Sequence, residues 1–460
     1  MPRITWTVPA LAIVAATLVG CSDRPTEPTA IAPHADLKTA SGSAITPRLI
    51  RELAAARGIG PLPRQHVRRP LVRLGQALLF DPILSGNRNI SCASCHLPEF
   101  ATGDGKSLSV GEGGAGLGPT RSHPSGTFIP RNAPPLFNLG AMRHLFWDGR
   151  VAVDEKGRLR TPAGEQLTPA MRRVMEFGAV SAIGLFPVTN RAEMRGLYGN
   201  ELADIPDADM QEIWSALMKR LGAIPEYRRM FERAYPDTRF ERMTFAHASN
   251  AIGGFLVGEL TFTNSPWDRF LAGRDNALTK RQLEGAQTFL TLKCSICHSG
   301  ATFSDEQFHN VAVAQIGPGQ GNGETRLDDF GRMNVTGRSS DRYRFRTTPL
   351  RNVELTGPYG HSGAIITLRD FIDHYSESDK KLLEYDPSQL EYVLQGTVLP
   401  NAMAILAQRD TLLEGVVLTD ELVENLVIYM RTLTDDRVRN LSHITPRRVP
   451  SGLPVERVSR

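Results

Sequence analysis

"ISCASCHLPEF", residues 90–100, sets two cysteines and a histidine side by side, and "LKCSICHSG", residues 292–300, repeats the arrangement in a chain with only five cysteines. Both are C-x-x-C-H: Cys92, Cys95 and His96, then Cys294, Cys297 and His298. This is the attachment pattern of c-type haem, in which both thiols add to the porphyrin vinyls and the histidine binds iron. One helical turn between the cysteines lets both sulfurs reach one edge of the macrocycle, and the adjacent histidine then swings beneath its centre. Disulfides or a redox CxxC pair predict neither histidine. A zinc site made from both pairs does not require a histidine directly after each. Two covalently bound c-type haems are therefore expected.

The fifth cysteine has a different context. Arg3 precedes the apolar run "PALAIVAATLVG", too short and too N-terminal for a membrane span, so residues 1–20 read as a signal peptide. It ends in "LVGC", which resembles a bacterial lipobox, making Cys21 the acylated anchor. Ser22 in place of the aspartate of inner-membrane retention favours the outer membrane. Residues 21–47, rich in Pro, Ser, Thr and Ala, read as a flexible tether, and the expected location is the periplasm. The net charge of +4, which becomes +3 without Arg3, is small and gathered into no basic run, so no nucleic-acid partner is expected.

Amphipathic periodicity predicts helices over 71–80, 210–221, 245–262, 280–292, 367–374 and 420–432, and convincing strands are few. The expected fold is mainly α, two cytochrome c-like haem domains with long loops, since a macrocycle can supply the core that short helices lack. Residues 103–130, dense in glycine and proline, form a long surface loop. Its "GEGGAG" lacks the flanking strand and helix of a dinucleotide site. The turn-rich "TNSPWDRFLAGRDNALT" marks the boundary between an N-terminal haem domain, 48–262, and a C-terminal one, 263–435, with 436–460 as a tail.

The stretches "LFDPILSGNRNISCASCH", "RNAPPLFNLG", "LFWDGR", "FPVTNRAEMRG", "SPWDRFLAG", "CHSGATFSDEQFHNVAV" and "FRTTPLRNVELTGPYGHSG" together resemble the bacterial dihaem cytochrome c peroxidase and MauG family. The resemblance runs from about Leu71 to Tyr375. It implies a first haem with an open or openable coordination position where hydrogen peroxide is cleaved, and a second that passes electrons. Where the peroxidases place a removable distal histidine, in S-x-G-H-G, this chain has "SLSVG", with Val110 at the histidine position. Valine cannot ligate iron, so a constitutively open site is expected, with His123 of the same loop as the alternative ligand. On the second haem the resemblance brings Tyr375 to the sixth position. Its neighbour His374 points about 100° away along the helix, and only one of the two can face the iron.

The resemblance further assigns proton relay to Glu193, a distal-pocket role to Gln166 and interhaem charge transfer to Trp147. It also implies a calcium ion held by Asn132 and the carbonyls of Thr356 and Pro358, hard oxygen donors suited to it. The expected function is therefore that of an exported dihaem c-type oxidoreductase reducing hydrogen peroxide at the N-terminal haem. Electrons come from a small redox protein or, in the MauG manner, from a protein substrate. The alternatives are a peroxide-dependent oxidase of a protein or organic substrate and a non-catalytic dihaem electron carrier or sensor. A homodimer is left open.

Overall fold

The computed structural model describes residues 45–458. The signal peptide, Cys21 and nearly all of the tether lie outside the described residues. Among the described residues no helix is long and apolar enough to cross a membrane.

The chain is mainly helical, and the predicted helices form close to their expected limits: Arg69–Phe80, Met210–Gly222, Phe245–Glu259, Lys280–Thr291, Leu368–His374 and Asp420–Thr432. The first stops at Asp81, which is extended at φ −93° and ψ 118° because the next residue is Pro82. Thr419 and Thr279 cap the last and fourth of these helices, each accepting a backbone N–H of the first turn. Two further helices, Pro47–Ala56 and Pro225–Ala234, start on proline, whose missing N–H costs nothing in a first turn. The turn-rich stretch at 262–279 contains a helix too, Pro266–Leu271, begun by a capping box between Ser265 and Asp268.

Among the described residues two large hydrophobic cores form, beside two small clusters around Tyr343 and Leu108. In the first, the helix Arg69–Phe80 lies against Phe245–Glu259, with Phe80 edge-on to Phe255 at 6.4 Å. In the second, Trp267, Phe289, Phe303 and Tyr429 interlock between the helices Lys280–Thr291 and Asp420–Thr432. Full burial of rings such as these stabilises by about 1.5–3 kcal/mol each. The first and last described segments each pack against the core of the other half of the chain. Ile50, Ala54 and Ile59 pack in the second core, whereas Val438, Leu441, Ile444 and Val449 pack in the first.

Sheet is confined to short pieces. His144–Leu145, Val151–Val153 and Leu159–Arg160 form an antiparallel meander, and Phe308–His309 pairs with Phe345–Arg346. The loop 103–130 holds one 3-10 turn, Gly118–Thr120, and an isolated bridge from Ala115 to Ser122.

Candidate haem sites and the groups around them

Each C-x-x-C-H motif forms a single tight turn. Cys92–Ser94 is a 3-10 turn framed by Ser91 and Ser94, and Cys294–Cys297 is one α turn after the helix Lys280–Thr291. His96 N donates to Cys92 O at 3.1 Å and His298 N to Cys294 O at 3.0 Å, which sets each histidine directly behind its cysteines. All four thiols are unpaired and half-buried.

The two histidines are oriented in the same way. His96 Nδ1 lies 2.8 Å from Thr102 O, and His298 Nδ1 lies 3.0 Å from Phe303 O. A carbonyl can only accept, so Nδ1 carries the proton and Nε2 presents its lone pair. Both carbonyls come from left-handed residues, Thr102 at φ 62° and Phe303 at φ 59°, so each loop is bent back under its ring. Burial lowers both histidine pKa values, favouring the neutral, metal-binding form. Free thiols, a free Nε2 and a fixed tautomer fit covalent haem at both motifs.

Around the first motif the loop and the Glu193 turn meet. Val110 is 1 % exposed, and its carbonyl lies 4.0 Å from Cys95 Sγ. Glu193 sits in a π-helical turn, Arg191–Arg195, capped by Asn190, whose side chain accepts from the N–H groups of Ala192 and Glu193. Such turns recur at functional sites because they re-aim one side chain. Glycines on both sides let other backbone press against this turn. A Cβ on Gly111 would lie 1.9 Å from Ala192 O, and one on Gly86 1.8 Å from Arg195 O. The half-buried Glu193 carboxylate has no hydrogen-bond partner among the described residues, and its charge reaches both Cys92 and Cys95. Burial raises its pKa, and Arg150 and Arg131 offset part of that rise. A half-buried carboxylate without a hydrogen-bond partner, close enough to act on both thiols of the first motif, has the chemistry of an acid–base group.

Gln166 is elsewhere. Its Oε1 accepts Met210 N at 2.8 Å and its Nε2 donates to Ala208 O at 2.9 Å, so the amide closes the start of the helix Met210–Gly222. Both ends of the side chain are committed to backbone, which makes Gln166 a cap of that helix in this structure. His123 is held by Ser125, Nδ1 to Oγ at 2.7 Å, with Nε2 packed against Gly113.

Between the motifs, Trp147 is 9 % exposed and donates from Nε1 to Asn132 O at 2.9 Å. A buried charge network that sequence reasoning missed frames it. Arg131 makes a bidentate pair with Asp329 at 2.6 and 2.8 Å and reaches Asp148 at 2.7 Å. Arg346 N donates to Trp147 O. The charges sit inside the quoted motifs "RNAP" and "WDGR", but Asp329 and Arg346 arrive from distant sequence, and no local signal pairs them.

The Asn132 amide donates to Lys106 O and Ser107 O, and its Oδ1 accepts no hydrogen bond among the described residues. Nor do the carbonyls of Thr356 and Pro358. Asn132 N bonds His361 O at 2.9 Å, which brings the two segments together. Three free oxygens fit a hard cation.

At the second motif, Tyr375 and His374 separate as helix geometry requires. His374 Nε2 bonds Val311 O at 2.7 Å. The half-buried Tyr375 phenol lies within electrostatic reach of the Cys294 and Cys297 sulfurs, and burial pushes its pKa up. A second missed group adjoins this site: His309 bridges Asp410 at 2.6 Å and Asp305 at 3.1 Å, close to Cys297. Burial opposes its protonation, but the two carboxylates, with the Cys297 sulfur beside them, prevail and raise its pKa.

Residues 69–276 match the family model described as di-haem cytochrome c peroxidase. The chain is 31% identical to cytochrome c551 peroxidase of Pseudomonas aeruginosa over 65% of this chain and 69% of that one. It is 32% identical to cytochrome c peroxidase Ccp of Escherichia coli over 65% of this chain and 51% of that one, so it spans about half that relative's length. Among solved structures, a MauG-like protein associated with microbial copper homeostasis superposes at TM-score 0.58 with 26% identity, covering 83% of this chain and 95% of that one.

Proposed function

The chain belongs to the di-haem cytochrome c peroxidase family of oxidoreductases, and on that premise we propose that it reduces hydrogen peroxide at a haem held by Cys92, Cys95 and His96. Cys294, Cys297 and His298 would hold a second haem, which would supply the electron-transfer chemistry. When bound, the haems supply the iron-centred redox chemistry and the covalent scaffold for it. Glu193 takes the proton from the inner peroxide oxygen and delivers it to the outer one, a transfer its raised pKa suits. Val110 keeps the position opposite His96 free of a protein ligand, and His123 stays tied to Ser125. Trp147 would carry charge between the sites, and Tyr375 would offer its phenol oxygen to the second haem.

Asn132, Thr356 and Pro358 would supply the oxygen donors for one calcium ion. The protein is exported to the periplasm and lipid-anchored through Cys21, with a small redox protein or a protein substrate as electron source. Tyr375 favours the second of these, since a phenolate stabilises oxidised iron and lowers the potential below that of a methionine-ligated haem.

The observation that carries the reading is the unpaired carboxylate of Glu193 beside Cys92 and Cys95, with Val110 where a ligand would stand. Electron paramagnetic resonance of the oxidised holoprotein tests it. One high-spin and one low-spin ferric haem are expected, the high-spin signal disappearing with stoichiometric peroxide. Two low-spin haems indifferent to peroxide, before and after half-reduction, would favour the electron-carrier reading.

A further inference from the structure

The C-terminal segment beyond Thr445 folds back over the first core, and its contacts with the first haem motif are specific. Val449 is buried there, and Leu453 and Val455 pack against the same core. Ser451 is pinned first: its Oγ donates to Asp81 Oδ1 at 2.6 Å, while Tyr227 OH donates to Asp81 Oδ2 at 2.6 Å. Five residues later Glu456 reaches the haem-attachment turn. Its Oε2 accepts from the hydroxyl of Ser94, the residue between the two cysteines' near ends, and from Ser91 Oγ at 3.3 Å. Ser94 Oγ in turn accepts Ser91 N at 2.9 Å, so the carboxylate fixes which way the Ser94 hydroxyl proton points.

The other carboxylate oxygen faces Arg121 at 3.9 Å, with side chains only 2% and 18% exposed for Arg121 and Glu456. Arg121 is the clamp of the loop opposite. It donates from Nε to Val110 O at 2.7 Å, from one Nη to Gly111 O at 2.9 Å and from the other to Gly116 O at 3.0 Å. One carboxylate therefore touches both walls of the first haem position: the turn that carries Cys92 and Cys95, and the loop that carries Val110.

We propose that Glu456 is a positioning residue of the first haem site, a staple from the C-terminal strap that holds the Ser91–His96 turn and the Val110 loop in register. The consequence for an open site, which rests on the peroxidase reading above, is that the strap keeps the loop from collapsing toward the iron and keeps His123 away from it. Because Ser451 and the apolar residues anchor the strap independently, loss of Glu456 acts locally.

The test compares Glu456→Ala and Glu456→Gln with the unaltered holoprotein. Amide hydrogen exchange across residues 109–129 is expected to speed up about tenfold in Glu456→Ala, with the rest of the fold unchanged. Glu456→Gln, which keeps an acceptor for Ser94 but loses the charge facing Arg121, moves the same loop in the same direction. In the ferric spectrum part of the first haem's high-spin signal converts to low-spin, and His123→Ala in the Glu456→Ala background restores it. Unchanged exchange at 109–129, or loosening spread over the whole fold, overturns the staple. A wild-type protein with no high-spin haem refutes the open site instead, and the exchange measurement still decides the role of Glu456.

Discussion

The indole Nε1 of Trp147 donates to the backbone carbonyl of Asn132 at 2.9 Å, joining the residue proposed to carry charge between the haem sites to one proposed to hold a cation. Trp147→Phe keeps an aromatic ring but leaves that carbonyl without its donor, at a cost of about 1–3 kcal/mol. Interhaem electron transfer, followed by rapid mixing after half-reduction, is expected to slow while both haems remain attached. An unchanged rate would leave Trp147 a packing residue only.

Glu193→Gln is expected to lower the rate of the peroxide step by about 10²–10⁴-fold, the usual worth of a positioned proton-transfer group. The carboxylate form does the work, and burial raises its pKa above the ordinary 4.5. The wild-type rate should therefore climb with pH through a value above 4.5, and in the variant that limb should vanish. A variant that retains the same acid limb would assign the titration to another group.

Tyr375→Phe should change the low-spin signal of the second haem and raise its reduction potential, because a phenolate donor is lost. His374→Gln should leave that signal in place, since His374 is bonded to Val311 O. The reverse pattern, read by the same spectrum, would exchange the two assignments.

Asp410 accepts from His309 at 2.6 Å, Arg344 at 3.2 Å and Leu412 N at 3.0 Å. Burial raises its pKa, and these donors more than reverse it, to about 2 from 3.8. A depressed folded-state pKa stabilises above the unfolded value and is lost as pH falls, so this contribution is complete above pH 3.8 and disappears as pH falls through about 2. Asp410→Asn should cost about 1–3 kcal/mol at neutral pH, the worth of a charged acceptor for His309 and Arg344. Thermal melts of the two proteins should converge toward the acid end of that window.

Gln166→Ala should lower stability by about 1 kcal/mol, the worth of a helix cap, without changing peroxide turnover. Loss of turnover with unchanged melting would return the residue to the distal pocket.

Much of this protein could be read along the chain. The haem motifs are local, since a thiol, a second thiol and a histidine within one turn identify their chemistry without knowledge of anything distant. Helices such as Asp420–Thr432 were also legible, because a period of 3.6 and a capping threonine lie within the helix itself. The short helix Pro266–Leu271 hid among turn residues because its capping box uses the same Ser, Pro and Asp that make turns. The partners of Gln166 were not legible, because the backbone its amide meets, at Ala208 and Met210, lies more than forty residues away in the chain.

The sequence by itself determined the two haem attachment turns and the mainly helical class, because covalent attachment and helical periodicity are short-range properties. Only the tertiary structure decided that His374 is tied to Val311 O while Tyr375 comes within electrostatic reach of the Cys294 and Cys297 sulfurs, that Arg131, Asp148 and Asp329 share one buried network, and that Glu456 reaches Ser94. Those relationships join residues far apart in the chain. Which distant charge a buried group meets follows from how the two cores and the first and last described segments pack, and no local pattern records that.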